Sequence, residues 1–243
     1  MPAFDAAAPK PRALAFFDFD NTIIHGDAGP LFGRWLYSQQ RAQRKRRGRA
    51  ALFLRHLPYI SGMAMQAGLY KLRARRRSSL VRSSYRGLRG VGSPNFYGLM
   101  QGFVDETIAP RIYPEVAQRI RKHTAEGTPC IIITTGMEPL VERSVRHLPA
   151  PVHVIGCILL EEGGKLTGEV EGPLFGLDKA NILKAYCKAL DVDPGDCWAY
   201  SDHWSDKQML EAVGHAVVVN PRGQLLDMAR RRKWEILTPK RPA

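Results

Sequence analysis

Ala13-Leu14-Ala15-Phe16-Phe17-Asp18-Phe19-Asp20-Asn21-Thr22 joins an apolar β-type run to two aspartates two positions apart, with a threonine two positions further on. A short apolar run of this kind, broken by polar residues, reads as a buried strand. In an open α/β sheet the carboxyl ends of such strands face the ligand crevice, so the two acids sit where chemistry is done. In extended backbone Asp18 and Asp20 point the same way. One carboxylate can then attack an electrophile while the other handles a proton or completes a cation site. Taken alone, the same ten residues also fit a strand that merely ends in acidic turn residues.

Three later segments repeat the design. Cys130-Ile131-Ile132-Ile133-Thr134-Thr135-Gly136 is a second apolar run ending in hydroxyls and a glycine, followed by a helical pattern from Pro139. Backbone donors at that helix start, together with the Thr134 hydroxyl, can hold an anion. Lys179 opens another helix-like stretch and supplies a fixed positive charge. Trp198-Ala199-Tyr200-Ser201-Asp202 then leads to Asp206, placing two more acids at the end of a third strand.

Between and after these segments, strands are expected over 129–134, 152–157, 197–200 and 215–219. Helices are expected near 114–126, 138–148, 179–191, 205–213 and 222–231. The alternation argues a parallel sheet with helices on both faces. Residues 157–170, with Gly163-Gly164 at the centre, read as a β-hairpin. Residues 28–109 carry mainly helical periodicity and interrupt the pattern early.

The four segments, in this order, resemble the haloacid dehalogenase-like superfamily of phosphohydrolases, in particular its phosphoserine phosphatase-like branch (subfamily IB). The DxDxT pattern matches at Asp18, Asp20 and Thr22. The strand-end hydroxyl matches at Thr134 with Gly136 after it, the lysine at Lys179, and the paired acids at Asp202 and Asp206. Arg111–Glu115 and Val213–Pro221 are also similar to this branch, and the likeness extends over roughly residues 13–237.

The resemblance implies a Rossmann-like, doubly wound α/β core formed by 12–27 and 110–243, a helical cap inserted at 28–109, and a loose tail at 1–11. It also implies a Mg²⁺-dependent phosphatase acting on a phosphate monoester. Asp18 is then the nucleophile that becomes an aspartyl-phosphate, and Asp20 the acid and base. Asp18, the Asp20 carbonyl and Asp202 are the expected Mg²⁺ ligands, with Asp206 either joining them or orienting a metal-bound water. Thr134, Gly136 and Lys179 are expected to hold the phosphoryl oxygens. Asp27 stands where a glutamate usually meets the substrate ammonium, and it reads equally well as a helix N-cap. The last motif departs from the family in its His203-Trp204-Ser205 spacer, where Trp204 is either a pocket wall or ordinary packing.

The 243 residues, 44% of them hydrophobic, suffice for a real core without staples. The four cysteines are too scattered for a zinc cluster and read as buried free thiols of a reducing cytoplasm. Met1 to Lys10 lacks the apolar region of a secretory leader, so a cytoplasmic location is expected. Charge is strongly segregated. Residues 28–104 contain 16 Lys and Arg and no Asp or Glu, whereas the whole chain has 36 basic and 23 acidic residues. Such a basic face is compatible with plain solvation, with an anionic membrane surface at the inner face of the membrane, or with a polyanion. Three functions remain in view. The first is a phosphatase of a small metabolite such as phosphoserine or histidinol phosphate. The second is a phosphatase of a lipid phosphate such as phosphatidylglycerophosphate at a membrane surface. The third is a binding module with a decayed core. The retained acids and lysine argue against the third, and nucleic acid is disfavoured as a partner.

Overall fold

The computed structural model describes residues 10–44, 85–172 and 176–242. Its centre is β1 (Ala15–Phe17), three residues with no exposed surface on either face. β1 pairs in parallel with β2 (Cys130–Met137) on one side and β5 (Trp198–Ser201) on the other. The full sheet has seven strands in the order β4-β3-β2-β1-β5-β6-β7. β3 is His153–Glu162, β4 Lys165–Glu171, β6 His215–Val219 and β7 Glu235–Leu237. All pairings are parallel except β3 with β4, the hairpin expected around Gly163-Gly164. The chain leaves β1 to build one half of the sheet and returns beside β1 to build the other. The crevice between β1 and β5 is thus the switch point at which α/β sheets bind ligands.

Among the described residues the named α-helices are α1 (Ala28–Arg44), α2 (Ser93–Phe103), α3 (Pro114–Ala125), α4 (Glu138–Ser144), α5 (Gly176–Leu190), α6 (Lys207–Glu211) and α7 (Gly223–Arg232). Two apolar layers cover the two faces. Leu14, Phe16, Ile131 and Ile133 pack against Leu183, Met209, Leu210 and Leu225 on one face. Phe17, Phe19 and Ile132 join Val116 and Ile120 on the other, and this layer runs on into Phe32, Phe96 and Phe103. The three phenylalanines meet edge to face, with Phe32 5.0 Å from Phe103 and 5.8 Å from Phe96 between ring centroids. α1 and α2 are therefore continuous with the core.

The chain returning through residues 85–93 is stitched to the hairpin. Gly90 N–H donates to Leu166 O at 2.8 Å, Leu166 N–H to Val91 O at 2.9 Å, and Ser93 N–H to Gly164 O at 3.0 Å. The basic residues between 45 and 84 lie outside the described residues. All four cysteines are buried and unbridged; Cys187 and Cys197 approach to 3.8 Å between sulfurs. Among the described residues no helix is long and apolar enough to cross a membrane.

Candidate active site

The ends of β1, β2 and β5 and the start of α5 deliver their side chains to one small cavity of about 70 Å³. It is lined by Asp18, Asp20, Asn21, Asp27, Thr135, Lys179, Asp202, His203, Ser205 and Asp206. Lys179 is its keystone. The ammonium donates to Asp18 Oδ1 at 2.6 Å and to Asp206 Oδ2 at 2.8 Å, and all three residues are buried. Burial works against the lysine charge, but the two carboxylates outweigh it and hold the ammonium above its ordinary pKa. The Asp18 carboxyl is raised, because burial and the nearby Asp206 exceed the stabilisation that Lys179 provides. Its backbone N–H donates to Tyr200 O at 2.9 Å, which ties the end of β1 to β5.

Asp20 is positioned by a compact loop. Ile23 and Ile24 N–H both donate to Phe19 O, and Asn21 takes a left-handed φ of 56° so that its N–H reaches Gly26 O at 3.2 Å. Asn21 Oδ1 accepts from Gly26 N–H at 3.1 Å, and its Nδ2 donates to Asp27 Oδ1 at 2.8 Å. Asp20 Oδ1 accepts the first N–H of α1, that of Ala28, at 2.8 Å. That bond favours the carboxylate, yet burial dominates and, with Asp18 and Asp27 nearby, lifts Asp20 to about 7. Of the two readings of Asp27, the carboxylate turns to Asn21 and the cavity, while the N–H of Ala28 is met by Asp20.

Asp202 is raised to about 8 by burial and by Asp18 and Asp206. Asp206 is committed on both oxygens: Oδ2 accepts from Lys179 and from Ser201 Oγ at 2.8 Å, and Oδ1 accepts from Ser205 Oγ at 3.2 Å. This geometry makes it the residue that positions Lys179. Thr134 is 1% exposed, and its Oγ accepts from Gly136 N–H at 3.0 Å, while Thr135 lines the cavity. A Cβ on Gly136 would lie 3.2 Å from the Thr134 hydroxyl, so glycine lets the hydroxyl tuck in. The α4 helix has only seven residues, and its Glu138 carboxylate accepts from Gly156 N–H at 2.8 Å. Trp204 is 38% exposed, with Lys207 Nζ 5.4 Å from its ring centre, and it is its neighbours His203 and Ser205 that line the cavity.

Asn21, Thr135, His203 and Ser205 line the cavity without having been expected there from the sequence. The signal for Asn21 was its place inside DxDxT, and for the other three their position at strand ends beside assigned residues. Asn21 in particular is one of the residues that tolerate left-handed backbone.

The donor set suits a hard cation. Among the described residues five aspartates and one lysine line the cavity, and carboxylate oxygens are of the type Mg²⁺ prefers. Among the described residues no group of three acidic, histidine or cysteine side chains is set to hold a metal ion.

A model of the haloacid dehalogenase-like hydrolases matches residues 15–211, from the first residue of β1 to the last of α6. The chain belongs to this family. The chain is similar to a probable phosphatase of Mycobacterium tuberculosis, 29% identical over 235 residues, covering 97% of this chain and 78% of the relative. The phosphoserine phosphatase SerB1 of the same organism is 29% identical over 250 residues, covering 97% and 76%. A solved structure of unknown function from Bordetella pertussis shares the fold, with a TM-score of 0.76, 22% identity and coverage of 94% and 99%. With this family match and the shared fold, the chain is a hydrolase.

Proposed function

We propose that the protein is a Mg²⁺-dependent phosphomonoesterase that works through an aspartyl-phosphate on Asp18, with a small phosphorylated metabolite as substrate. The observation that carries the reading is the buried Asp18–Lys179–Asp206 triad at the mouth of β1, beside Asp20 and Asp202. Lys179 fixes one Asp18 oxygen and its charge opposes the rise that burial imposes, so the carboxylate is aligned to attack phosphorus. The P–O bond to the leaving group breaks as the O–P bond to Asp18 forms. Asp20, raised to about 7, holds a proton for the leaving oxygen near neutral pH. It then takes a proton from the water that attacks the aspartyl-phosphate, which releases inorganic phosphate and restores Asp18. Thr134, Gly136 and Lys179 serve the phosphoryl oxygens, with Thr135 beside them.

Asp18, Asp20 and Asp202 would hold Mg²⁺, with Asp206 acting beside them; the ion would neutralise charge on the phosphoryl oxygens. Asp27, fixed by Asn21, suits an ammonium on the substrate, as in phosphoserine or histidinol phosphate. The core is read as 12–27 with 110–243, the cap as 28–109 and the tail as 1–11, in a cytoplasmic protein. The test is phosphate release from a panel of metabolite phosphates with and without Mg²⁺, using Asp18→Asn as the blank.

One observation favours a second substrate class. The 16 basic residues and absent acids of 28–104 suit docking on anionic lipid, with a lipid phosphate as substrate. Flotation with anionic liposomes tests it: binding that salt reverses supports it, and no binding at low salt removes it.

A further inference from the structure

Cys187 and Cys197 stand ten positions apart in the chain, and their sulfurs meet at 3.8 Å. Cys187 follows Lys179 and Leu183 at four-residue spacing along α5, so the three share the helix face that is buried against the sheet. Cys197 immediately precedes β5. The chain between them turns through residues 191–196, of which Asp191, Asp193, Gly195 and Asp196 are exposed. The two sulfurs are therefore buried, but directly beneath a surface turn.

The hydrogen bonds around the pair are unequal. Leu14 N–H donates to Cys197 Sγ at 3.4 Å, and the Cys197 S–H is directed to Asp193 O at 3.4 Å. The proton between the two sulfurs is then the one on Cys187. Hydrogen bonds donated to a sulfur favour its thiolate. Cys197 is accordingly held below the ordinary thiol value, most of all by Cys187, while Cys187 is raised by the same bond and by burial. A sulfur that ionises readily beside one that keeps its proton is the arrangement of an attacking and a resolving cysteine. Cys130 and Cys157 instead approach backbone carbonyls, those of Ile120 and Thr128 at 3.7 and 3.8 Å and that of Thr135 at 3.4 Å.

We propose that Cys187 and Cys197 form a reversible disulfide, a redox site two turns along α5 from Lys179, with a peroxide as oxidant and a dithiol as reductant. The Cys197 sulfur attacks one peroxide oxygen; the S–O bond forms as the O–O bond breaks, and the departing hydroxide takes the thiol proton to become water. The Cys187 sulfur then attacks the sulfur of the resulting sulfenic acid. The S–S bond forms, the S–O bond breaks, and the second hydroxide leaves with the Cys187 proton. The two thiols lose two electrons and two protons, and the peroxide becomes two waters. Closing from 3.8 Å to a bond of about 2 Å asks each sulfur to advance about 1 Å. The bond clasps α5 to the strand that leads to Asp202 and uses no residue of the active-site cavity.

The experiment exposes the full chain to hydrogen peroxide under native conditions, unfolds it in an alkylating agent and maps the peptides by mass spectrometry. The expected product is a Cys187–Cys197 linkage, two hydrogens lighter than the two thiols, with Cys130 and Cys157 alkylated. Dithiothreitol returns all four cysteines to the alkylated state. In Cys187→Ala the sulfenic acid of Cys197 persists and is trapped by dimedone, whereas Cys197→Ala leaves Cys187 unlabelled. Four alkylated cysteines after a dose of peroxide that fully oxidises free glutathione would overturn the proposal, and this wild-type result decides whether or not the variants fold. So would a linkage that forms only when peroxide is added to urea-unfolded protein, or one that joins Cys130 or Cys157 in place of the pair.

Discussion

Replacing Lys179 by methionine removes the ammonium that bridges two buried carboxylates, those of Asp18 and Asp206, whose side chains are 10% and 3% exposed. Breaking a buried pair on one side costs about 3–5 kcal/mol. Asp206 keeps its bonds from Ser201 and Ser205, and either acid can take up a proton instead of remaining charged, so the lower end applies. A loss of about 3 kcal/mol lowers the thermal midpoint of a chain this size by about 6–12 °C. Adding Asp206→Asn removes one of the stranded charges, so the double variant should lose less than the sum of the single variants. The expected coupling is about 1–3 kcal/mol. Urea and thermal unfolding of the four proteins in EDTA measure this, since chelation keeps any cation from substituting for the ammonium. A Lys179→Met protein within about 1 kcal/mol of wild type, or a strictly additive double variant, would refute the reasoning.

In EDTA, the raised carboxyls of Asp20 (about 7) and Asp202 (about 8) bind more protons in the folded than in the unfolded state. Their contribution to stability is therefore present at low pH and lost as pH rises from about 4 to about 8. Mg²⁺ binding displaces those protons, so the rise in thermal midpoint on adding Mg²⁺ should grow across that window; a gain that is flat or falls with pH would contradict it. His123 works in the opposite sense: burial lowers it to about 4 beside Tyr200, so its contribution is lost as pH falls from about 6.5 toward 4. His123→Gln should flatten that acid limb, as read by urea midpoints in EDTA. Asp27→Asn should raise KM for an amine-bearing substrate about three- to fivefold, the scale of an exposed ion pair, with no change toward p-nitrophenyl phosphate. Equal effects on both substrates would remove the ammonium assignment.

Much of the architecture was legible because the strands are buried on both faces and therefore read as continuous apolar runs. The expected strand at 215–219 matches β6, and 197–200 is one residue from β5. Asp18, Asp20, Lys179, Asp202 and Asp206 line one cavity because parallel strands end on one side of the sheet and α5 begins there. Boundaries set by distant packing were less visible. β2 runs on to Met137 because, after a register shift, it pairs again with Cys157. The helix expected over 205–213 shortens to Lys207–Glu211. It is preceded by the His203-capped turn and followed by Gly214, where a Cβ would lie 1.8 Å from the Gly195 carbonyl oxygen. β7 escaped notice because a three-residue edge strand, Glu235-Ile236-Leu237, carries no usable periodicity. Thr135 and His203 were hidden for another reason: which residue at a strand end faces the cavity depends on bulges and turns that composition does not encode. The charge of 28–104 was plain in the sequence, but most of the residues that carry it lie outside the described residues.

The most direct test of the account is acid quenching during turnover of a radiolabelled phosphate monoester in Mg²⁺, followed by peptide mapping. A covalent label that hydroxylamine removes, carried by the peptide containing Asp18 and missing from Asp18→Asn, is the predicted result. Phosphate release that survives Asp18→Asn, or a label on any other residue, would contradict it.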